Sequence, residues 1–154
     1  MILMLTYGMG LGVSEVVQLK VADIDSQRMQ VFIEAAKGKK DRYENLPHTI
    51  LEDLRNYYKE YKPKKFLFEG QYGGQYAIRS VQAVFKTAMK QAKIDKRVGV
   101  HGLRHSYATH LMEAGTDMTF IQHLSGHNNI KTTQIYAKVG RKEIQKVKSP
   151  LDRL

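Results

Sequence analysis

Apolar residues along the chain recur at helical spacing, interrupted once by a stretch with strand spacing. From Met1 to Val13 the chain is apolar and uncharged, which reads as the end of a helix. Ser14 to Lys20 follows as a second helix with Val16, Val17 and Leu19 inward. Arg28 to Glu34 then alternates, with Met29, Val31 and Ile33 on one face. Asp41 to Leu46 can pair back on it across a basic turn, Lys37-Gly38-Lys39-Lys40. Helical period returns from Pro47 to about Tyr61, striped by Ile50, Leu51, Leu54 and Tyr58, and Lys62-Pro63 ends it. Phe66 to Phe68 reads as a short buried strand, and Gly70 to Gly74 as a loop. A long helix from about Ala77 to Ile94 sets Ile78, Val81, Phe85, Ala88 and Ala92 on one side. The next, from about His101 to Glu113, has Leu103, Tyr107 and Leu111 as its apolar edge. Gly115 stops it, and Thr116 or Asp117 opens another helix. That helix breaks at Gly126, and a last short one from about Asn129 carries Tyr136 on the side of Ile135 and Val139. The pattern predicts an α+β fold, mainly helical, with a small antiparallel sheet.

Size and composition fit one domain over residues 1–154, since a chain 42% hydrophobic at this length can bury a core of its own. The apolar start lacks a basic leader and is shorter than the roughly 20 residues that span a bilayer, so no membrane association is expected. A formal charge of +10 and a sequence pI near 9.7 turn attention to polyanions. The charge is also one-sided on the Ala77–Ile94 helix, where Arg79, Lys86, Lys90 and Lys93 share a face that could track phosphates without reading bases. Such a face can equally be a merely solvated one. The absence of Cys excludes disulfides and thiol catalysis and is compatible with a cytoplasmic location.

The chemistry concentrates between His101 and Tyr136. On the Leu103–Tyr107–Leu111 helix, His101, Arg104, His105 and Ala108 form a second edge, three and four residues apart. Leu124-Ser125-Gly126-His127 and Thr132-Thr-Gln-Ile-Tyr136 follow. Carboxylates are few here, Glu113 and Asp117 being the two present, so the cluster is poorly suited to Mg²⁺. The pairs His101/His105 and His123/His127 have the spacing of zinc ligands, but neither has a Glu after its first His and no third ligand is evident, so no metal and no cofactor is expected. A cationic cluster with a phenol suits covalent chemistry at phosphorus, in which fixed donors clamp a phosphodiester while the tyrosine attacks and becomes the temporary ester.

These residues carry a family resemblance. His101-x-x-Arg104-His105, Gly126-His127 and Tyr136 nine residues beyond are similar to the tyrosine recombinase and phage integrase family. So are Tyr7-Gly-Met-Gly-Leu-Gly12-Val-Ser-Glu15, Leu19-Lys-Val-Ala-Asp-Ile-Asp25 and Lys37-Gly-Lys-Lys-Asp-Arg42. The resemblance implies a recombinase catalytic domain in which Tyr136 forms a 3′-phosphotyrosyl link and Arg104 grips the non-bridging oxygens. It further implies that His101 and His127 hydrogen-bond the phosphate or move protons, and that Lys37 protonates the leaving 5′ oxygen. Lys39, Lys40, Arg42, Arg79, Lys86 and Lys90 are the expected DNA-binding residues, with double-stranded DNA as partner and self-association through the segment after Tyr136.

The chain departs from the family pattern at three places. Gly12 stands where the family has a catalytic arginine; a tight turn in Gly10-Leu11-Gly12 is the alternative reason for it. Glu44 takes an inward strand position that is usually apolar, where a charge would cost several kcal/mol or force the strand edge open. Ser125 replaces a Leu before the Gly126-His127 turn. Glu15 is expected to orient a neighbouring group or to act as a first-turn acid on the helix dipole. Relatives also carry a helical DNA-clamping domain and further helices before this point, so an amino-terminally incomplete catalytic domain without the clamp is expected. The alternative is a catalytically inactive DNA-binding remnant, or a regulator built on the helix-turn-helix-like run Ala108 to Ile121.

Overall fold

The computed structural model describes residues 1–34, 41–117, 120–121 and 148–153. In chain order the elements are α1 (Ile2–Gly8), α2 (Val13–Gln18), a 3₁₀ turn (Val21–Asp23), β1 (Ile24–Asp25), β2 (Gln30–Ile33), β3 (Arg42–Asn45), α3 (His48–Tyr61), α4 (Ile78–Gln91), α5 (His101–Glu113) and a closing 3₁₀ turn (Pro150–Arg153). The fold is thus mainly helical with one three-stranded antiparallel sheet in the order β1-β2-β3. In the β1–β2 connection, Asp25 Oδ1 accepts from the amides of Gln27 at 3.1 Å and Arg28 at 2.9 Å. The β2–β3 register pairs Gln30 with Asn45, Val31 with Glu44, Phe32 with Tyr43 and Ile33 with Arg42. Side chains alternate across a sheet, so Val31, Ile33, Arg42 and Glu44 are buried while Tyr43 lies outward beside Phe32, their rings 5.3 Å apart.

One apolar core joins the elements: Leu5, Met9 and Leu11 around α1, Val16 and Val17 of α2, Val31 and Ile33 of β2, Ile50 and Leu54 of α3, and Val81 and Phe85 of α4. The α3 stripe is narrower than its periodicity predicts, since Tyr58 is exposed, and on α4 Ile78 is exposed as well. Phe66–Phe68 forms a single antiparallel bridge to Lys20 in place of a strand, although Leu67 and Phe68 are buried as expected. A left-handed Lys62 (φ 46°) before Pro63 stops α3, and Gly115 (φ +83°) follows the end of α5. Beyond it, the Asp117 carbonyl accepts from the amides of Phe120 and Ile121.

Helix α5 lies against α1, and Tyr107, Leu111 and Ile121 form a small second cluster with Tyr7 and Ala108 packed on it. Tyr7 Oη is 2.9 Å from His110 Nδ1 across this contact. Pro150–Arg153 returns to the body, with Ser149 Oγ donating to the Gly8 carbonyl at 2.5 Å and Thr49 Oγ1 donating to Asp152 Oδ1 at 2.7 Å. The turn between α1 and α2 needs glycine at Gly10 (φ +62°), where a methyl group would also enter the Tyr107 ring. Gly10→Ala is expected to destabilise the domain by about 2–4 kcal/mol in urea unfolding, whereas a loss under about 0.5 kcal/mol would mean that the turn does not fix the α1–α5 contact.

Candidate active site

The site is built on Glu15, the third residue of α2. Its carboxylate reaches back to the Gly12 amide, which donates to Oε2 at 2.7 Å and closes the helix start. The same carboxylate receives two arginines from distant parts of the chain. Arg42 of β3 donates through Nη1 to Oε1 at 2.7 Å and through Nη2 to Oε2 at 3.3 Å. From the first turn of α5, Arg104 donates through Nη1 to Oε2 at 2.8 Å. Arg42 makes one more charged bond, from Nε to Glu44 Oε1 at 2.7 Å.

Exposure separates the members of this network. The side chains of Arg42, Glu15 and Glu44 are 6%, 2% and 2% exposed, and that of Arg104 is 16% exposed. Arg104 is therefore the member of this quartet that an incoming anion can reach. His101 begins the same helix one turn earlier, exposed, with its ring edge-on to His105 at 5.6 Å. Gly12 faces Arg104: a Cβ there would lie 3.1 Å from Arg104 Nη1 and 3.3 Å from Glu15 Oε2. Its backbone (φ −70°, ψ 153°) is open to any residue, so the turn explanation belongs to Gly10 and not to Gly12.

Two expectations change. Arg42, expected on the DNA-binding surface, is buried, because two-residue alternation turns it and Glu44 to the inner face of β3, where both are paired. Glu44 neither sits uncompensated nor opens the strand edge: Arg42 neutralises it and the ladder closes with Val31 opposite. Glu15 both caps the start of α2 on the Gly12 amide and pairs with Arg42 and Arg104, so it makes contacts of the kind each of its two readings names. Arg79, Lys86 and Lys90 are exposed on α4. Between α4 and the 94–101 segment, the described residues leave an open groove of about 990 Å³, lined by Phe85, Lys86, Lys90, Lys93, Lys96 and, at the start of α5, His101. Lys37, Lys39, Lys40, Ser125, His127 and Tyr136 lie outside the described residues. Among the described residues no three His, Asp or Glu side chains form a group that could hold a metal ion.

Electrostatics follow the geometry. Burial pushes the Glu15 carboxyl up, but the hydrogen bond and charge of Arg42, the Gly12 amide and Arg104 outweigh it and bring it down to about 2. Glu44 goes the other way: burial raises it to about 7 against the pull of Arg42, with the charge of Glu15 adding to the rise. For Arg42, burial works against the charge, yet the two carboxylates raise it on balance. Burial, helped by the Glu44 charge, also lifts Tyr107 well above the ordinary phenol range.

The phage integrase family model matches residues 1–143. The chain belongs to the phage integrase family. Protein y4qK of Sinorhizobium fredii is 43% identical over 155 residues, covering 99% of this chain and 50% of that protein. Tyrosine recombinase XerA of Pyrococcus horikoshii is 37% identical over 147 residues, covering 94% and 52%. A crystal structure of XerA recombinase superimposes with a TM-score of 0.74 at 29% identity, covering 92% of this chain and 52% of that one. This phage integrase chain therefore has the tyrosine recombinase catalytic-domain fold and spans about half the length of the curated relatives it matches.

Glu44 gives the domain a measurable pH signature. Its folded pKa of about 7 lies above the ordinary 4.5, so between these values the folded chain keeps a proton that the unfolded chain has lost. Stability from this group is complete below pH 4.5 and is lost as pH rises through 7, whereas that from Glu15 is present above 4.5 and is lost as pH falls toward 2. Urea unfolding should show the stability of the chain falling relative to Glu44→Gln by up to about 3 kcal/mol from pH 4.5 to 8; a difference that stays constant with pH would refute the assignment.

Proposed function

We propose that this domain performs the cleavage and rejoining chemistry of a site-specific DNA recombinase, at a rate lowered by Gly12. The observation that carries the reading is Arg104: a partly exposed guanidinium at the start of a helix, beside His101, seated on a buried carboxylate. Such a group is a preorganised donor for a phosphodiester. In the proposed step the Tyr136 phenol passes its proton to His101 or His127 as its oxygen attacks phosphorus, Arg104 holds a non-bridging oxygen, and the 5′ oxygen leaves with a proton from Lys37. Attack by a 5′ hydroxyl on the 3′-phosphotyrosyl ester reverses the step and releases the tyrosine, so the ester bond is conserved without ATP. The duplex would lie along the basic face of α4, whose Lys86 and Lys90 share the groove with His101. Self-association on DNA through the segment after Tyr136 belongs to the same reading; the described end of that segment, Ser149 to Arg153, is seated on its own chain.

Gly12 removes one of the two guanidiniums such a clamp would use. Loss of a comparable charge donor lowers rates by about 10²–10⁵. A second reading, a DNA-binding domain without catalysis, is favoured by the charge of the quartet, where Arg42 and Arg104 are matched by Glu15 and Glu44.

A nicked duplex that traps the covalent intermediate separates the two. With the chain as it stands, adducts on a denaturing gel are expected to be undetectable or slower than in ordinary recombinases by about 10²-fold or more. Gly12→Arg should restore part of the rate, since the backbone accepts a side chain and the Arg104 guanidinium and Glu15 carboxylate, 3.1 and 3.3 Å from the added Cβ, need give by a few tenths of an ångström. Tyr136→Phe should abolish adducts in either background. Adduct formation at ordinary rates with Gly12 in place would sink the claim of impairment; none from Gly12→Arg would favour the non-catalytic reading. Binding to duplex is expected in both cases, and Lys86→Ala with Lys90→Ala should flatten the log K against log salt slope by about 0.9 for each phosphate no longer neutralised.

A further inference from the structure

We propose that Glu44 is a positioning residue of the anion site, acting through Arg42 and Glu15 to keep Arg104 drawn onto Glu15 and over Gly12. The geometry converges on one atom. Glu15 Oε2 receives the Gly12 amide at 2.7 Å, Arg104 Nη1 at 2.8 Å and Arg42 Nη2 at 3.3 Å. Arg42 and Arg104 thus share an acceptor, and Arg42 has the longer bond. What holds Arg42 in that pose is the tether at its other side, Nε to Glu44 Oε1 at 2.7 Å. Both residues sit on the inner face of β3, two positions apart, so the tether is as rigid as the strand.

With a neutral group at 44 the tether weakens and Arg42 is drawn fully onto Glu15. Its Nη2 then displaces Arg104 from Oε2, because a bidentate pair with Glu15 satisfies a guanidinium that has lost its second carboxylate. At the same time the site gains one net positive charge. Glu44 therefore positions Arg104 against Glu15, at the spot a side chain of residue 12 would occupy, and brakes anion binding by cancelling charge that a phosphate would otherwise meet.

The charged and titratable groups facing Glu44 are Arg42 on its own strand, Glu15 of α2, and Arg104 and Tyr107 of α5. Glu15 is ionised above about pH 2, Tyr107 is held neutral, and the arginines keep their charge. Among these described groups Glu44 is the one that changes charge near neutral pH, so acid releases the brake that Glu44→Gln removes permanently.

The test follows the arginine side-chain Nε–Hε resonances of the full chain by NMR from pH 6 to 8, together with anisotropy titrations of a labelled duplex. In the native chain the Arg104 signal should shift with an inflection near pH 7; in Glu44→Gln it should stay at the acid position throughout. Duplex affinity of Glu44→Gln relative to the native chain should be near equal at pH 6 and about three- to tenfold higher at pH 8, with a salt slope steeper by up to about 0.9. Shifts shared by both proteins divide out of the ratio. The DNA arm rests on the recombinase reading above and the NMR arm does not. An Arg104 signal indifferent to both pH and Glu44→Gln overturns the proposal, even if the variant folds poorly, because the native titration stands alone. An affinity ratio equal at pH 6 and 8 overturns the charge effect. Arg104 coupling without duplex binding by either protein supports the positioning role and removes the DNA-binding reading instead.

Discussion

Everything at this site depends on where the Glu15 carboxylate is held. It is 2% exposed, so it cannot exist as an isolated charge, and Arg42 compensates it from below while Arg104 does so from the more open side. The three residues come from α2, β3 and α5, with Arg42 and Arg104 lying 27 and 89 positions from Glu15 along the chain. A single buried acid therefore aligns the helix that carries His101 and Arg104 with the sheet and with the α1–α2 corner. The precision of the candidate clamp is a consequence of core packing: Leu11, Val16 and Val17 fix α2, Val31 and Ile33 fix the strand beside Arg42, and Tyr107 and Leu111 fix α5.

The same arrangement explains why a glycine at position 12 need not collapse the domain. The helix start is closed by the Glu15 side chain on the Gly12 amide, a bond that uses backbone and not the residue's own side chain. Arg104 approaches the volume a side chain would fill, so its guanidinium lies against backbone in place of a neighbouring cation. In the proposed function, the absence of an arginine here costs charge and donors for an anion while leaving the local geometry intact.

The sequence made much of this visible, and the parts it hid have physical reasons. Long helices were readable in the sequence: the amphipathic α3 and α4 differ from expectation only near their ends, and α5, with just Tyr107 and Leu111 buried, still runs from His101 to Glu113 as read. Arg42 was misplaced because a basic residue following a lysine-rich turn reads as part of that turn. The signal that could have corrected it was the two-residue step from Arg42 to Glu44 on a strand whose partner face, Val31 and Ile33, is apolar. An opposite-charge pair on one buried face is self-compensating, whereas each member alone looks misplaced. Phe66–Phe68 shows the limit of short apolar runs, since burial was foreseen but a single bridge to Lys20 replaced the strand. Glu15 was read as an orienting acid or as a first-turn acid on the helix dipole, and the arginines it pairs with lie 27 and 89 residues away, which no local pattern encodes.

Gly12 and Glu44 acquire a joint meaning once they are placed in space. Gly12 brings its backbone amide to Glu15 Oε2, and Glu44 brings a carboxyl group to the buried side, reaching the same carboxylate through Arg42. Neither residue adds positive charge to the site, in a chain whose overall charge is +10. In the proposed function, polyanion attraction and the charge of the site are uncoupled: lysines on α4 gather a duplex by long-range attraction, while the site presents Arg104 already engaged by Glu15. For such a domain, binding strength is a poor guide to chemical competence, because the two properties are set by different residues.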